Sequence, residues 1–144
     1  MNQKLKDLGF QSVKVESSKD YISIDQYGVI SFSGKLRREL SIKKTESASI
    51  YFNPDGGTLA IHIGRFDRKK NSDMLILTID ADKTIRAKEE LAAIEDEYVG
   101  YHLLPQGAST HSLEDVEIEN VSLPPDPHSR TVLVSLKKDR MPFR

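Results

Sequence analysis

The six residues Lys35-Leu36-Arg37-Arg38-Glu39-Leu40 carry the chemistry that stands out in this chain. Leucines at i,i+4 define one face of a helical turn, and the two adjacent arginines fall outside that face. A guanidinium is planar, always charged and presents a fork of donors. An outward-facing pair therefore suits phosphate oxygens and the guanine edge in a major groove. Lys43 and Lys44 extend the patch, so Lys35, Arg37, Arg38, Lys43 and Lys44 are the candidate nucleic-acid-binding residues. The alternative is a solvated helix face on which Arg37 or Arg38 pairs with Glu39 or Glu46.

A second constellation is acidic. Glu114, Asp115, Glu117 and Glu119 interleave with Val116, Ile118 and Val121, the pattern of a strand with one carboxylate face. Such a face suits a basic surface on another protein, and it equally suits a charged hairpin that only keeps the surface soluble. The four histidines, His62, His102, His111 and His128, show no metal-binding spacing. His62 falls on the outward row of its strand and is expected to be exposed. Ser109-Thr110-His111-Ser112 lacks a nucleophile elbow. Gly56-Gly57 lacks the Lys-Ser/Thr and helix of a phosphate loop. The expectation is a protein that is not an enzyme and uses neither metal nor cofactor.

Charge is split along the chain. Residues 1–70 hold thirteen Lys/Arg against eight Asp/Glu, and residues 71–144 hold eight against fourteen. A basic half favours contact with phosphate, and an acidic half argues against a uniformly nucleic-acid-coated surface. The absence of cysteine removes disulfides, thiolate zinc sites and thiol catalysis. No apolar run approaches the roughly 18–20 residues of a membrane span, and MNQKLKDLGF lacks the apolar centre of a signal peptide. A soluble, cytoplasmic protein is expected. At 144 residues the chain is long enough to bury a core without a staple.

The elements that must position the arginines lie between Tyr21 and Ile63. Ile22 and Ile24 alternate with polar neighbours, Asp25-Gln26-Tyr27-Gly28 reads as a turn with Gly28 at positive φ, and Ile30 and Phe32 form the returning strand. Ser33 is placed to cap the short helix. Ala48, Ile50 and Phe52, then Asn53-Pro54-Asp55-Gly56-Gly57, then Leu59, Ile61 and Ile63 predict a hairpin. Before this unit, a weak helix over Leu5–Leu8 and a strand over 12–15 are expected. After it comes the basic connector Arg65, Arg68, Lys69 and Lys70. The second half repeats the order: strand Met74–Ile79, turn Asp80–Lys83, strand Thr84–Arg86 and helix Ala87–Ile94. Strands over Tyr98–Leu104 and Thr131–Leu136 follow, separated by a long acidic loop, 105–130. Setting Ile24-Asp25 over Ile79-Asp80 brings Ile30 over Ile85 and Leu36 over Leu91 without a gap. Duplication and chance alignment of short units both produce that match.

From Asp25 to Asn53 the chain resembles the AbrB-type transition-state regulators and, more loosely, the MazE-type antitoxins. The family pattern is a turn glycine, a basic residue, an apolar strand ending in proline, and a short helix opening with Leu-Arg. An isoleucine and an acidic residue follow before the next strand. Here those places hold Gly28, Val29, Ile30-Ser31-Phe32, Ser33, Leu36-Arg37-Arg38, Leu40, Ile42 and Glu46, followed by Ile50-Tyr51-Phe52. Val29 replaces the DNA-contacting arginine, and Ser33 replaces the proline. In the second half Ala92 and Ala93 replace the arginine pair, and Lys83 replaces the turn glycine.

The resemblance implies a mainly β protein with short helices: a swapped-hairpin-like small barrel, here a pseudo-dimer of two β-turn-β-helix-β-β repeats in one chain. The expected organisation is an N-terminal extension (1–20), a first AbrB-like unit (21–66), a diverged second unit (67–136) and a tail (137–144). The function it implies is DNA-binding transcription regulation, with double-stranded DNA as partner. The rival expectation is a non-catalytic protein-interaction module, an inhibitor or accessory protein such as a mobile element encodes. It would meet a basic protein surface through Glu114, Asp115, Glu117 and Glu119. No membrane partner is expected, and an oligomer is compatible with either reading.

Overall fold

The structure, a computed structural model, describes residues 3–9, 19–66, 75–119 and 128–136. The expected strand at 12–15, most of the basic connector and the tail lie outside those residues. A five-residue helix, α1 (Gln3–Asp7), precedes the main body. There the chain runs β1 (Ile22–Asp25), β2 (Val29–Phe32), α2 (Gly34–Leu40), β3 (Ser47–Asn53) and β4 (Thr58–Gly64). It continues through β5 (Leu77–Thr78), β6 (Ile85–Arg86), α3 (Lys88–Glu97), β7 (Thr110–Leu113), β8 (Val116–Glu119) and β9 (Arg130–Ser135). The protein is mainly β, with short helices.

The strands form two antiparallel sheets, ordered β6-β2-β1-β7 and β5-β3-β4-β9-β8. The two sheets are tied at both ends. A single bridge pairs Ile79, just past β5, with Ile85 of β6. At the other end β7 passes into β8 across only Glu114 and Asp115. The strand alternation read from the sequence sets the core. Ile22, Ile24, Ile30, Leu59, Ile61 and Ile63 are all fully buried, each stabilising the fold by about 1.5–3 kcal/mol relative to an exposed side chain. Strands of the two halves pair directly: β1 with β7, β2 with β6, and β4 with β9. In the β2–β6 pair Ile30 lies opposite Ile85.

One turn is built twice. Asp25 Oδ1 accepts from the amides of Tyr27 (2.8 Å) and Val29 (3.0 Å), and its carbonyl accepts from Gly28 N–H. Asp80 Oδ1 accepts in the same way from Asp82 (3.0 Å) and Thr84 (3.1 Å), and its carbonyl accepts from Lys83 N–H. A short side-chain acceptor that satisfies amides two and four residues on fixes the chain reversal locally. Both turns need one left-handed residue, Gly28 at φ +71 and Lys83 at φ +62. Glycine is required at the first because the turn abuts α3. A Cβ on Gly28 would stand 2.4 Å from Lys88 Cα.

Three expectations are corrected. Residues 98–104 form no strand, because the amides of Leu103 and Leu104 bond the side chain of Glu95 (2.8 and 2.6 Å) rather than a neighbouring strand. Tyr98 and Tyr101 instead pack their rings on Phe52, at centroid distances of 5.0 and 5.2 Å. Within the expected loop at 105–130 the acidic stretch does form a strand, β8, as its alternation suggests, but β7 at Thr110–Leu113 takes a further part of that loop into a sheet. His62 is 1% exposed. The outer side of β4 is covered at that point by Phe66, whose ring stands 5.4 Å away, and His62 Nδ1 shares a 2.7 Å hydrogen bond with Thr131 Oγ1.

Candidate nucleic-acid interface

The arginine-bearing helix is short, so its position depends on its ends and on what it buries. Ser33 caps α2. Its hydroxyl oxygen accepts from Leu36 N–H and Tyr21 N–H, both at 3.2 Å, which joins the helix start to the lead-in of β1. At the far end Ser41 adopts the left-handed conformation (φ 47, ψ 53) and donates its N–H to the Arg37 carbonyl. Leu36 and Leu40 face the core, and Arg37, Arg38 and Glu39 occupy the outward arc between them. The i,i+4 leucine spacing thus turns the guanidiniums to solvent.

The carboxylates that could neutralise those arginines are engaged elsewhere. Glu39 lies 3.5 Å from Lys35, which also approaches Asp20 at 3.8 Å. Glu46 is buried, and both its oxygens bond the guanidinium of Arg130. Arg130 also donates to the Leu40 carbonyl, the exposed end of the α2 backbone ladder, and to the His128 carbonyl (3.2 Å). Glu46 Oε1 additionally accepts from Lys43 N–H (2.8 Å), which closes the turn leading out of α2. Among the described residues neither Arg37 nor Arg38 has an ion-pair or hydrogen-bond partner for its guanidinium.

The candidate cations therefore separate into two kinds. Lys35 is held between two carboxylates, whereas Arg37, Arg38, Lys43 and Lys44 are exposed and have no carboxylate partner among the described residues. Lys43 also lines a cleft of about 490 Å³ beyond the end of α2, together with Arg65, His128 and Arg130. Sequence reasoning missed Arg130. Its partner Glu46 is 84 residues away, and no local spacing marks such a pair.

The acidic constellation runs along β8, from Glu114 and Asp115 just before it to Glu119 at its end. Glu114 and Asp115 are exposed at the β7–β8 junction, where the Asp115 carbonyl accepts from Ser135 N–H. Glu117 points out of β8 while Val116 and Ile118 pack on the core, and Glu119 is half-buried. β8 ends the five-stranded sheet. A cleft of about 640 Å³ adjoins this junction and one of about 320 Å³ lies beside the start of β7, both lined by His102 and His111. His111 Nδ1 sits 3.4 Å from the Leu103 carbonyl, and the Ser109 hydroxyl donates to the Gln106 carbonyl. Both groups of that short serine–histidine run are thus engaged with backbone. Among the described residues no three His, Asp or Glu side chains converge as a metal site, and no helix is long and apolar enough to cross a membrane. Comparison with known protein families, with curated proteins and with solved structures returns no match to this chain.

Proposed function

We propose that this protein is a non-catalytic DNA-binding regulator that grips duplex phosphates with the outward face of α2. The observation that carries the reading is that Arg37 and Arg38 are exposed with no partner among the described residues, while Glu39 and Glu46 are committed to Lys35 and Arg130. Arg37 and Arg38 are the principal contacts, Lys43 and Lys44 flank them, and Lys35 acts mainly to hold Glu39 aside.

The swapped-hairpin arrangement belongs to the same proposal. It is supported by the turn built twice at an offset of 55 residues (25 to 80), and by Ile30 facing Ile85, positions related by that same offset. The bridge at Ile79–Ile85 and the short chain connection at Glu114-Asp115 bring the edges of the two sheets near one another, which is compatible with that arrangement. A cytoplasmic location is part of the same proposal.

The second reading, a protein-interaction module, is favoured by one observation: an edge strand, β8, that exposes Glu117 beside Glu114 and Asp115. Duplex binding at low ionic strength separates the two. Under the DNA reading, Arg37→Ala with Arg38→Ala weakens binding and neutralisation of Glu114, Asp115, Glu117 and Glu119 leaves it intact. A wild type that binds no duplex at low salt, yet loses a protein partner when those carboxylates are neutralised, establishes the second reading instead.

A further inference from the structure

The turn repeated at residues 25–29 and 80–84 places α2 and α3 in matching positions along the chain. Leu36 and Leu91 are both fully buried at the equivalent point of each helix. The surfaces the two helices present are electrically opposite. Where α2 has Lys35, Arg37 and Arg38, α3 has Glu90, Ala92 and Ala93 at the same offset. Glu89, Asp96 and Glu97 add exposed carboxylates on α3, and Lys88 is the only cation among its ten residues.

From this contrast we infer that the protein engages duplex DNA through one of its two matching helix shoulders only, so that a single chain reads a single asymmetric DNA segment. The inference rests on the DNA-binding reading and fixes the symmetry of its target. A pseudo-dimer with two equivalent basic shoulders would select a target with two-fold symmetry, because operator symmetry mirrors protein symmetry. Here the second shoulder has no guanidinium to offer a phosphate. Its carboxylates would be repelled by a phosphate backbone brought within the roughly 8–10 Å Debye length of physiological salt. The α3 shoulder therefore faces away from the duplex that α2 holds. Glutamates within a groove can accept from the cytosine amino group, and the experiment includes that case.

The test uses the full chain with a short duplex and has two arms. In the first, amide resonances are followed through a duplex titration. Shifts confined to α2 and its flanks, with residues 88–97 unmoved, are expected; comparable shifts in both helices overturn the inference. In the second, Glu89→Gln, Glu90→Gln and Asp96→Asn are combined. An affinity within about twofold of wild type, or tighter, is expected when only repulsive charge is removed. A tenfold or greater loss means that α3 touches the DNA and overturns the inference. A wild type with no salt-sensitive duplex binding fails the proposed function itself, and is distinguishable from either of those results.

Discussion

Removing the Arg130 side chain is the most informative perturbation of the scaffold. Arg130 and Glu46 are largely withdrawn from water, with side-chain exposures of 13% and 5%. Arg130→Ala takes the guanidinium away from the buried Glu46 carboxylate, which also accepts from the Lys43 amide, and strips the Leu40 carbonyl of the same partner. Breaking a buried pair by deleting one member costs about 3–5 kcal/mol, because the surviving charge is left uncompensated. Against a total stability of roughly 5–15 kcal/mol, that is a shift of about 10–15 °C in Tm for a chain of this size. Replacing both partners with apolar side chains of similar length, Glu46→Leu with Arg130→Met, removes the orphan charge and is expected to recover most of the loss. Urea unfolding of the wild type, both single variants and the double variant gives the coupling energy directly. A coupling above about 2 kcal/mol is expected. Single variants within about 1 kcal/mol of wild type, or strictly additive ones, would refute the claim that this pair anchors the end of α2.

Five further outcomes follow from the same geometry. Ser33→Ala loses the cap to Leu36 N–H and the link to Tyr21 N–H. A loss of about 1–2 kcal/mol by denaturant unfolding is expected. Gly28→Ala places a Cβ against the Lys88 backbone at a positive φ and is expected to destabilise strongly, whereas Lys83→Gly relieves the same conformation where a side chain now sits; it is expected to be neutral or stabilising by up to about 1 kcal/mol. Leu91→Ala empties a fully buried site under α3 and is expected to cost about 2–5 kcal/mol. Hydrogen bonds from the Thr84 side chain and backbone hold the Asp80 carboxyl below its ordinary value of 3.8. A group depressed in the folded state stabilises fully above its unfolded value, and that contribution disappears as pH falls through the folded value. The urea midpoint of the wild type is therefore expected to fall on acidification below about pH 4 more steeply than that of Asp80→Asn; parallel curves would contradict the assignment.

Much of the fold was legible because its signals are local. Ile22 and Ile24, and again Leu59, Ile61 and Ile63, alternate with their neighbours and so name their own inward face. Ser33 three residues before Leu36 announces its cap. The parallel between Asp25 and Asp80 was visible as a register of like residues before their turns were seen to share hydrogen bonds. What escaped the sequence depends on residues distant in the chain. Glu95 captures the amides of Leu103 and Leu104, which have the composition of a strand, and so takes that segment out of any sheet. His62 alternates as an outward residue, but Phe66 covers it from beyond the end of β4. Within the candidate interface, Arg37 and Arg38 were found by spacing alone. Their lack of a partner depends on Arg130, 84 residues from Glu46, taking the carboxylate that local reasoning would have paired with them.

The slope of log Kobs against log salt concentration for duplex binding tests the central claim most directly. Each phosphate contact neutralised by a cation contributes about 0.9 to that slope. Replacing Arg37 and Arg38 together by alanine is predicted to lower affinity and flatten the slope by about 1.8. Equal slopes for wild type and variant, or a wild type that binds no duplex at low salt, would contradict the account.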